Sequence, residues 1–436
     1  MDYESKIIVI EQALALVKSG DVIVTGLGAS EAGVFMSQLH TVAARGVRDV
    51  MVTNCLPTHE SKIYEEQYAD IFRVDGWFYA PVLRKALKNG NMAFIPNHLH
   101  LAARKRLDHI LPNIYIGAAT MPDKHGYVSL SLSNTYEMRM IEKADLVILE
   151  INPNMPYTLG DVQLHVRDID YMIKVDYQPP VMPDAPFSEK DAVIGKYIAD
   201  MVPDGSCIQL GIGGIPNAVA EALKTKNDLG VHTEMLTTGM MKLAKMGVIT
   251  GKYKQINKGK MVAAFAMGEP ELYEFMDYNP SIAIMDGAWV NDPYVIAQND
   301  NQVSINTTIE VDLTGQCASE SLGSRQFSGT GGQADTAIGA QMSKNGKSII
   351  ALYSTAMVKD KDGNRHEVSK IVPQLMAGAT VSLSRNDVDR IVTEYGVAEL
   401  RGTDIRERVE RLIAIAHPKF REELHDDAVR VGILGR

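Results

Sequence analysis

VKSGDVIVTGLGASEAGVFMSQL, residues 17–39, returns 185 residues later as VPDGSCIQLGIGGIPNAVAEAL, residues 202–223. Gly20 falls on Gly205, Gly26 on Gly211 and Gly28 on Gly213, and in each copy an apolar run leads into the glycines and a helix-compatible run follows. A strand–glycine loop–helix unit that occurs twice predicts an α/β chain built from two related open-sheet domains. The next strand repeats as well, with VMVTN (50–54) parallel to GVHTE (230–234) across a shorter connection. On this alignment Asn54 stands where Glu234 stands, so one copy carries a carboxylate and the other does not. The asymmetry marks Glu234 as the candidate reacting group and Asn54 as part of a shell. The competing explanation is coincidence between two ordinary units, since glycine after a strand is common.

The chain has 436 residues, enough for two or three domains with buried cores. Its 45% hydrophobic content is spread over short or amphipathic runs, none near the roughly 20 apolar residues that span a bilayer. The opening MDYESKIIVIEQALALVKSG reads as an amphipathic helix rather than a signal peptide, so the expected location is the cytoplasm, with no membrane partner. Cys55, Cys207 and Cys317 are far apart and form no CxxC pair, which argues for core residues and against a disulfide framework or thiolate zinc site. A net charge of −10 without a basic block argues against a nucleic-acid partner.

Strand-like runs at 21–26, 49–55, 71–79, 91–97, 113–119 and 145–152 alternate with helical runs near 30–44 and 81–89, and GYVSLSLSN (126–134) alternates like a hairpin. That order predicts a largely parallel sheet with helical crossovers. KVDYQPPVMPDAPFSE (174–189) contains four prolines and little periodicity, as a linker does. It separates an expected N-terminal domain, 1–180, from an expected C-terminal domain, 190–436, that carries Glu234. The second half reads as a helix at 191–202, a strand at 207–213, a helix from Pro216, strands at 230–235, 303–313 and 348–354, and a terminal helix at 405–416.

GIGGIPNAV (211–219) joins a strand to a helix. Gly211, Gly213 and Gly214 let backbone amides approach an anion, and the helix dipole adds favourable charge. Pro216 occupies the place of the third glycine of the dinucleotide fingerprint, which disfavours nicotinamide cofactors; a purely structural turn is the alternative. A second glycine stretch, 323–332, sets Gly329, Gly331 and Gly332 ahead of Gln333 and either lines a ligand or only turns the chain. Glu234 lies near the end of its strand, the edge where open α/β sheets bind ligands. His98, His100 and His125 show no metal-ligand spacing with carboxylates, so no metal is expected.

INPNMPYTLGD (151–161), GIGGIPNAV (211–219), HTEM (232–235), MDGAWVNDP (285–293), SGTGGQADT (328–336), VTEYGVAELRG (392–402) and IAHPKFREEL (415–424) together resemble the acetyl-CoA hydrolase/transferase family of family I CoA-transferases, over nearly the whole chain. The resemblance implies the CoA-transferase fold, with a glutamate nucleophile at Glu234. It implies CoA- and substrate-facing positions at Gln209, Leu210, Gly211, Ile212, Gly213, Gly214, Gly331, Gly332 and Gln333. Ser30 and Asn54 are expected to shape the substrate pocket. The implied reaction exchanges CoA between an acyl-CoA such as acetyl- or butyryl-CoA and a short carboxylic acid such as 4-hydroxybutyrate. CoA is then a substrate, no cofactor is permanently bound, and a homo-oligomer, dimer or tetramer, is expected. Tyr157 and Thr336 depart from the usual family pattern, which leaves the acyl preference open. An acyl-CoA hydrolase on the same scaffold and a noncatalytic acyl-CoA-binding protein are the alternatives.

Overall fold

The computed structural model describes residues 3–435. The chain divides into two compact units. One comprises the chain up to Pro183 together with Thr233–Met241 and Lys260–Asn291; the other comprises Asp184–His232, Lys242–Gly259 and the chain from Asp292 onward. Contacts therefore group the segment bearing Glu234 with the N-terminal unit, whereas the first boundary, between Pro183 and Asp184, lies in the proline-rich stretch. Residues 175–188 form neither helix nor strand. The stretch ends at Ser188, which caps helix Glu189–Asp200 in a reciprocal capping box with Asp191.

The first unit contains a seven-stranded sheet ordered Met92–Phe94, Phe72–Gly76, Val50–Thr53, Val22–Thr25, Ile114–Ala119, Leu146–Ile151 and Tyr171–Lys174, with every pairing parallel. Val22–Thr25 and Ile114–Ala119 are buried at every position, which is why they read as unbroken apolar runs rather than alternating ones. Ile23, Phe35, Val50, Phe72, Leu83, Ile116 and Ile148 form its core. In this unit Met261–Ala266 also pairs in parallel with Ile282–Ile284. The second unit orders Gly230–Leu236, Cys207–Leu210, Gln302–Thr307, Lys347–Ala351, Arg390–Thr393 and Gly396–Glu399, with only the last strand antiparallel. Strand Gly230–Leu236 is divided between the units after His232. Among the described residues no helix is long and apolar enough to cross a membrane.

The duplication extends to topology and register. In each half the first strand lies between the second and the next long parallel strand, and the glycine after it bonds the same neighbour: Gly26 N–H donates to Ile116 O at 3.0 Å and Gly211 N–H to Ile305 O at 3.1 Å. The registers also correct the alignment. Val22 pairs with Met51 and its equivalent Cys207 with Gly230, so the counterpart of Glu234 is Cys55, not Asn54. A shift of one residue matters because successive strand side chains point to opposite faces.

Three local expectations change. The helix near 30–44 is broken into a 3₁₀ turn Gly28–Ser30, an α-helix Gly33–Gln38 and a 3₁₀ segment Leu39–Arg45. Of the hairpin-like 126–134 run only Tyr127–Ser129 is a strand, paired with Gln163–His165; Ser131 has φ 65° and breaks the extended backbone. The 303–313 run splits into Gln302–Thr307 and Glu310–Asp312. All three cysteines are buried and unpaired.

Candidate functional site

Glu234 is half-buried in a strand whose other residues are buried. Asn291, fully buried and following the short helix Gly287–Val290, donates Nδ2–H to Glu234 Oε2 at 3.1 Å. The Asn291 Oδ1 atom is buried without a hydrogen-bond partner. Cys55 shares this environment: burial pushes its thiol up to about 12, backbone N–H groups of Trp77 and Phe78 act against that, and the carboxylates of Glu137 and Glu234 push it further up. The thiol is therefore neutral at physiological pH, and the position equivalent to Glu234 adds no second charge. A carboxylate oriented by a buried amide donor is suited to attack a carbonyl carbon.

In the second unit, Gln209 and Leu210 close the Cys207–Leu210 strand, and the loop at 211–214 leads into helix Gly214–Ala222, which starts two residues before Pro216. Gly213 has φ 113° and ψ −172°, a conformation open essentially to glycine alone. A Cβ on Gly214 would stand 3.2 Å from the Asp191 carboxylate, which is fixed by the Ser188 cap and by the Tyr353 hydroxyl at 2.6 Å. Gly195 lets its helix lie against the backbone of Ala218, and this close crossing fixes where the loop begins. Ile212 is 47% exposed, and among the described residues its N–H finds no acceptor.

Gln209 is knitted into the neighbouring strand: its Oε1 accepts from Ser304 Oγ at 3.0 Å and Ile305 N–H at 3.1 Å, and its Nε2 donates to Asn306 Oδ1 at 3.2 Å. Gly331 has φ 53° and Gly332 caps helix Gln333–Met342. Gln333 donates Nε2–H to Thr307 O at 2.8 Å, while its Oε1 is buried and unpartnered. The structure thus brings Gln209 and the 211–214 loop onto one strand–turn–helix, with Gln333 beginning a helix of the same unit; Glu234 belongs to the other unit.

Ser30 and Asn54 are both buried. Ser30 donates its hydroxyl to Leu130 O at 3.2 Å, and Asn54 Nδ2 donates to Glu31 Oε1 at 2.7 Å and to the Tyr64 hydroxyl at 2.9 Å. Glu31 in turn accepts the N–H groups of Thr58 and His59 and pairs with His59 Nδ1 at 3.0 Å. Burial lowers the His59 pKa, yet the Glu31 and Glu150 carboxylates bring it above its ordinary value. Ser30 therefore holds loop backbone directly, while Asn54 braces Glu31, whose other oxygen holds the Thr58 and His59 backbone. Asn291 and Cys55 emerge only from the structure. Asn291 lies within MDGAWVNDP, whose polar residue after an apolar turn was the available signal. Among the described residues no group of three or more His, Cys, Asp or Glu is placed to hold a metal ion.

The fixed loop conformation at Gly213 carries a prediction. A Cβ there meets nothing within 4 Å, so Gly213→Ala costs only backbone strain, roughly 1–3 kcal/mol. The expected outcome is a modest drop in melting temperature with a larger loss of kcat/KM for acyl-CoA. Wild-type kinetics in a variant that melts normally would make the loop a turn and nothing more.

A duplicated parallel α/β fold carries an amide-held glutamate in one unit and a glycine loop in the other. Comparisons with known proteins show its family. Residues 1–183 match the acetyl-CoA hydrolase/transferase N-terminal domain and residues 268–428 the C-terminal domain. Succinyl-CoA:cyclohexane-1-carboxylate CoA transferase of Geobacter metallireducens is 42% identical over 99% of this chain and 96% of its own. The 4-hydroxybutyrate coenzyme A transferase of Clostridium kluyveri is 44% identical over 82% of both chains. The crystal structure of RipA from Yersinia pestis superposes with a TM-score of 0.91 at 34% identity, covering 99% of each chain. The chain belongs to the acetyl-CoA hydrolase/transferase family, and it is a CoA-transferase.

Proposed function

We propose that this enzyme moves CoA from an acyl-CoA to a short carboxylic acid through a thioester on Glu234. The observation that carries the proposal is the Glu234 carboxylate, half-buried and held through one oxygen by the buried Asn291 amide. Its carboxylate attacks the acyl-CoA carbonyl and expels CoA thiolate, leaving a mixed anhydride. The thiolate then attacks the glutamyl carbonyl and releases R-COO⁻, so the thioester bond is conserved on the protein. An incoming R′-COO⁻ reverses both steps and leaves as R′-CO-CoA, with ping-pong kinetics. Each addition places negative charge on a carbonyl oxygen. Asn291 Nδ2–H serves the glutamyl oxygen, and a donor of this kind contributes roughly 3–4 kcal/mol in other acyl-transfer enzymes.

For binding CoA we take the glycine loop with its exposed Ile212 and, as the second loop, Gly331, Gly332 and Gln333, all in the second unit. Gln209, tied into the neighbouring strand, Ser30, tied to loop backbone, and Asn54, tied to the Glu31 and Tyr64 side chains, act as supports. For the acids we take short carboxylates such as acetate, butyrate and 4-hydroxybutyrate, the last being the acid for which the Clostridium kluyveri relative is named. We place the reaction in the cytoplasm and expect a homo-oligomer. The test is an exchange panel with these acids, followed by mass spectrometry. New CoA esters that form only with an added acid are the expected result; release of free thiol alone would make the protein a hydrolase.

A further inference from the structure

The matched topology of the two halves allows their glycine loops to be compared atom by atom. Leu27 is the counterpart of Ile212, each lying one residue after the glycine that bonds the neighbouring strand. Leu27 is buried at 3% exposure and Ile212 is 47% exposed. Their N–H groups differ as well. Leu27 N–H donates at 2.9 Å to Oε1 of Glu137, whose carboxylate also accepts Ser133 Oγ at 2.8 Å and, on its other oxygen, Tyr136 N–H at 2.8 Å. Glu137 is fully buried and is the first residue of helix Glu137–Ile141. In the second half the helix between the equivalent strands begins at Gln333, whose side chain donates to Thr307 O, and among the described residues the Ile212 N–H has no acceptor.

We infer that Glu137 is a built-in occupant of the first glycine loop: its carboxylate fills a carboxylate-binding position equivalent to the one the second loop keeps open for substrate. The comparison rests on the proposed role of the 211–214 loop. The pocket itself rests on the three donors that converge on one buried carboxylate. No cation is paired with Glu137 among its hydrogen-bond partners, so the Leu27 and Tyr136 N–H groups and the Ser133 hydroxyl do the work of solvating its carboxylate, against the burial that raises its pKa. The duplicated chain then has two loops of one design and a single one open to ligand. The class of ligand that the first loop takes, once vacated, is a small monocarboxylate.

Glu137→Ala removes the occupant and leaves three buried donors around a cavity of carboxylate size. Thermal unfolding of this variant is measured in sodium formate or sodium acetate, against sodium chloride at equal ionic strength and against acetamide. The expected result is a selective rise in melting temperature of about 3 °C or more with formate or acetate, absent from wild type and from Glu137→Gln, whose pocket remains filled. A variant that is recovered only in formate and unfolds on dialysis gives the same answer. Equal behaviour in formate, acetamide and chloride overturns the proposal, as does failure to recover the protein in any of them. The readout needs no acyl-CoA, so failure here leaves the Glu234 thioester untouched, and failure of the thioester leaves this pocket untouched.

Discussion

Glu234→Gln is expected to lower CoA exchange by roughly 10⁴- to 10⁶-fold, the range seen when the nucleophile of a covalent catalyst is removed. The fold persists, because glutamine has nearly the same volume and its amide oxygen still accepts from Asn291. Acyl-CoA binding persists for the same reason, so the loss falls on kcat rather than KM. The measurement is a paired determination of kcat/KM and melting temperature, with Glu234→Ala beside it, since slow deamidation of the glutamine returns some glutamate. A residual rate within tenfold of wild type in the alanine variant would remove Glu234 from the reaction.

Asn291→Ala gives the second-largest effect. It deletes the donor that lies 3.1 Å from Glu234 Oε2. Loss of one oxyanion donor costs about 10²- to 10³-fold in kcat, with acyl-CoA KM little changed. Stability falls too, by about 1–3 kcal/mol, because a buried amide is replaced by a cavity. The two effects separate experimentally: the rate of CoA attachment to the protein, measured well below the melting temperature, falls in Asn291→Ala and does not fall in a distant variant of matched stability. An unchanged attachment rate would make Asn291 a packing residue.

Much of the fold was legible because strands buried on both faces leave short, predominantly apolar runs that carry no charge. VIVT at 22–25, IYIGAA at 114–119 and CIQL at 207–210 are such runs, and the glycines that follow align the halves. Register was not legible. VMVT and GVHT look alike in either phase, and only the partners Met51 and Gly230 show that Cys55, rather than Asn54, is the counterpart of Glu234. The alternating GYVSLSLSN run carried a period-2 signal that the positive φ at Ser131 overrides. Roles set by distant contacts left no local trace: Asn291 meets Glu234 across 57 residues, and Glu137 meets Leu27 across 110. Arg408 illustrates the same limit, because its helix reads as charged and solvated while its guanidinium is buried against the carbonyls of Thr314, Arg385 and Leu400.

The most direct test of the central claim is peptide mass spectrometry of the protein after incubation with acyl-CoA and no acceptor acid, with and without borohydride. The account predicts a CoA adduct confined to the peptide containing HTEM (232–235), converted by borohydride to the alcohol at position 234, absent from Glu234→Ala and discharged when a short carboxylic acid is added. CoA attached to any other residue, or rapid turnover of acyl-CoA with no adduct at Glu234, would contradict it.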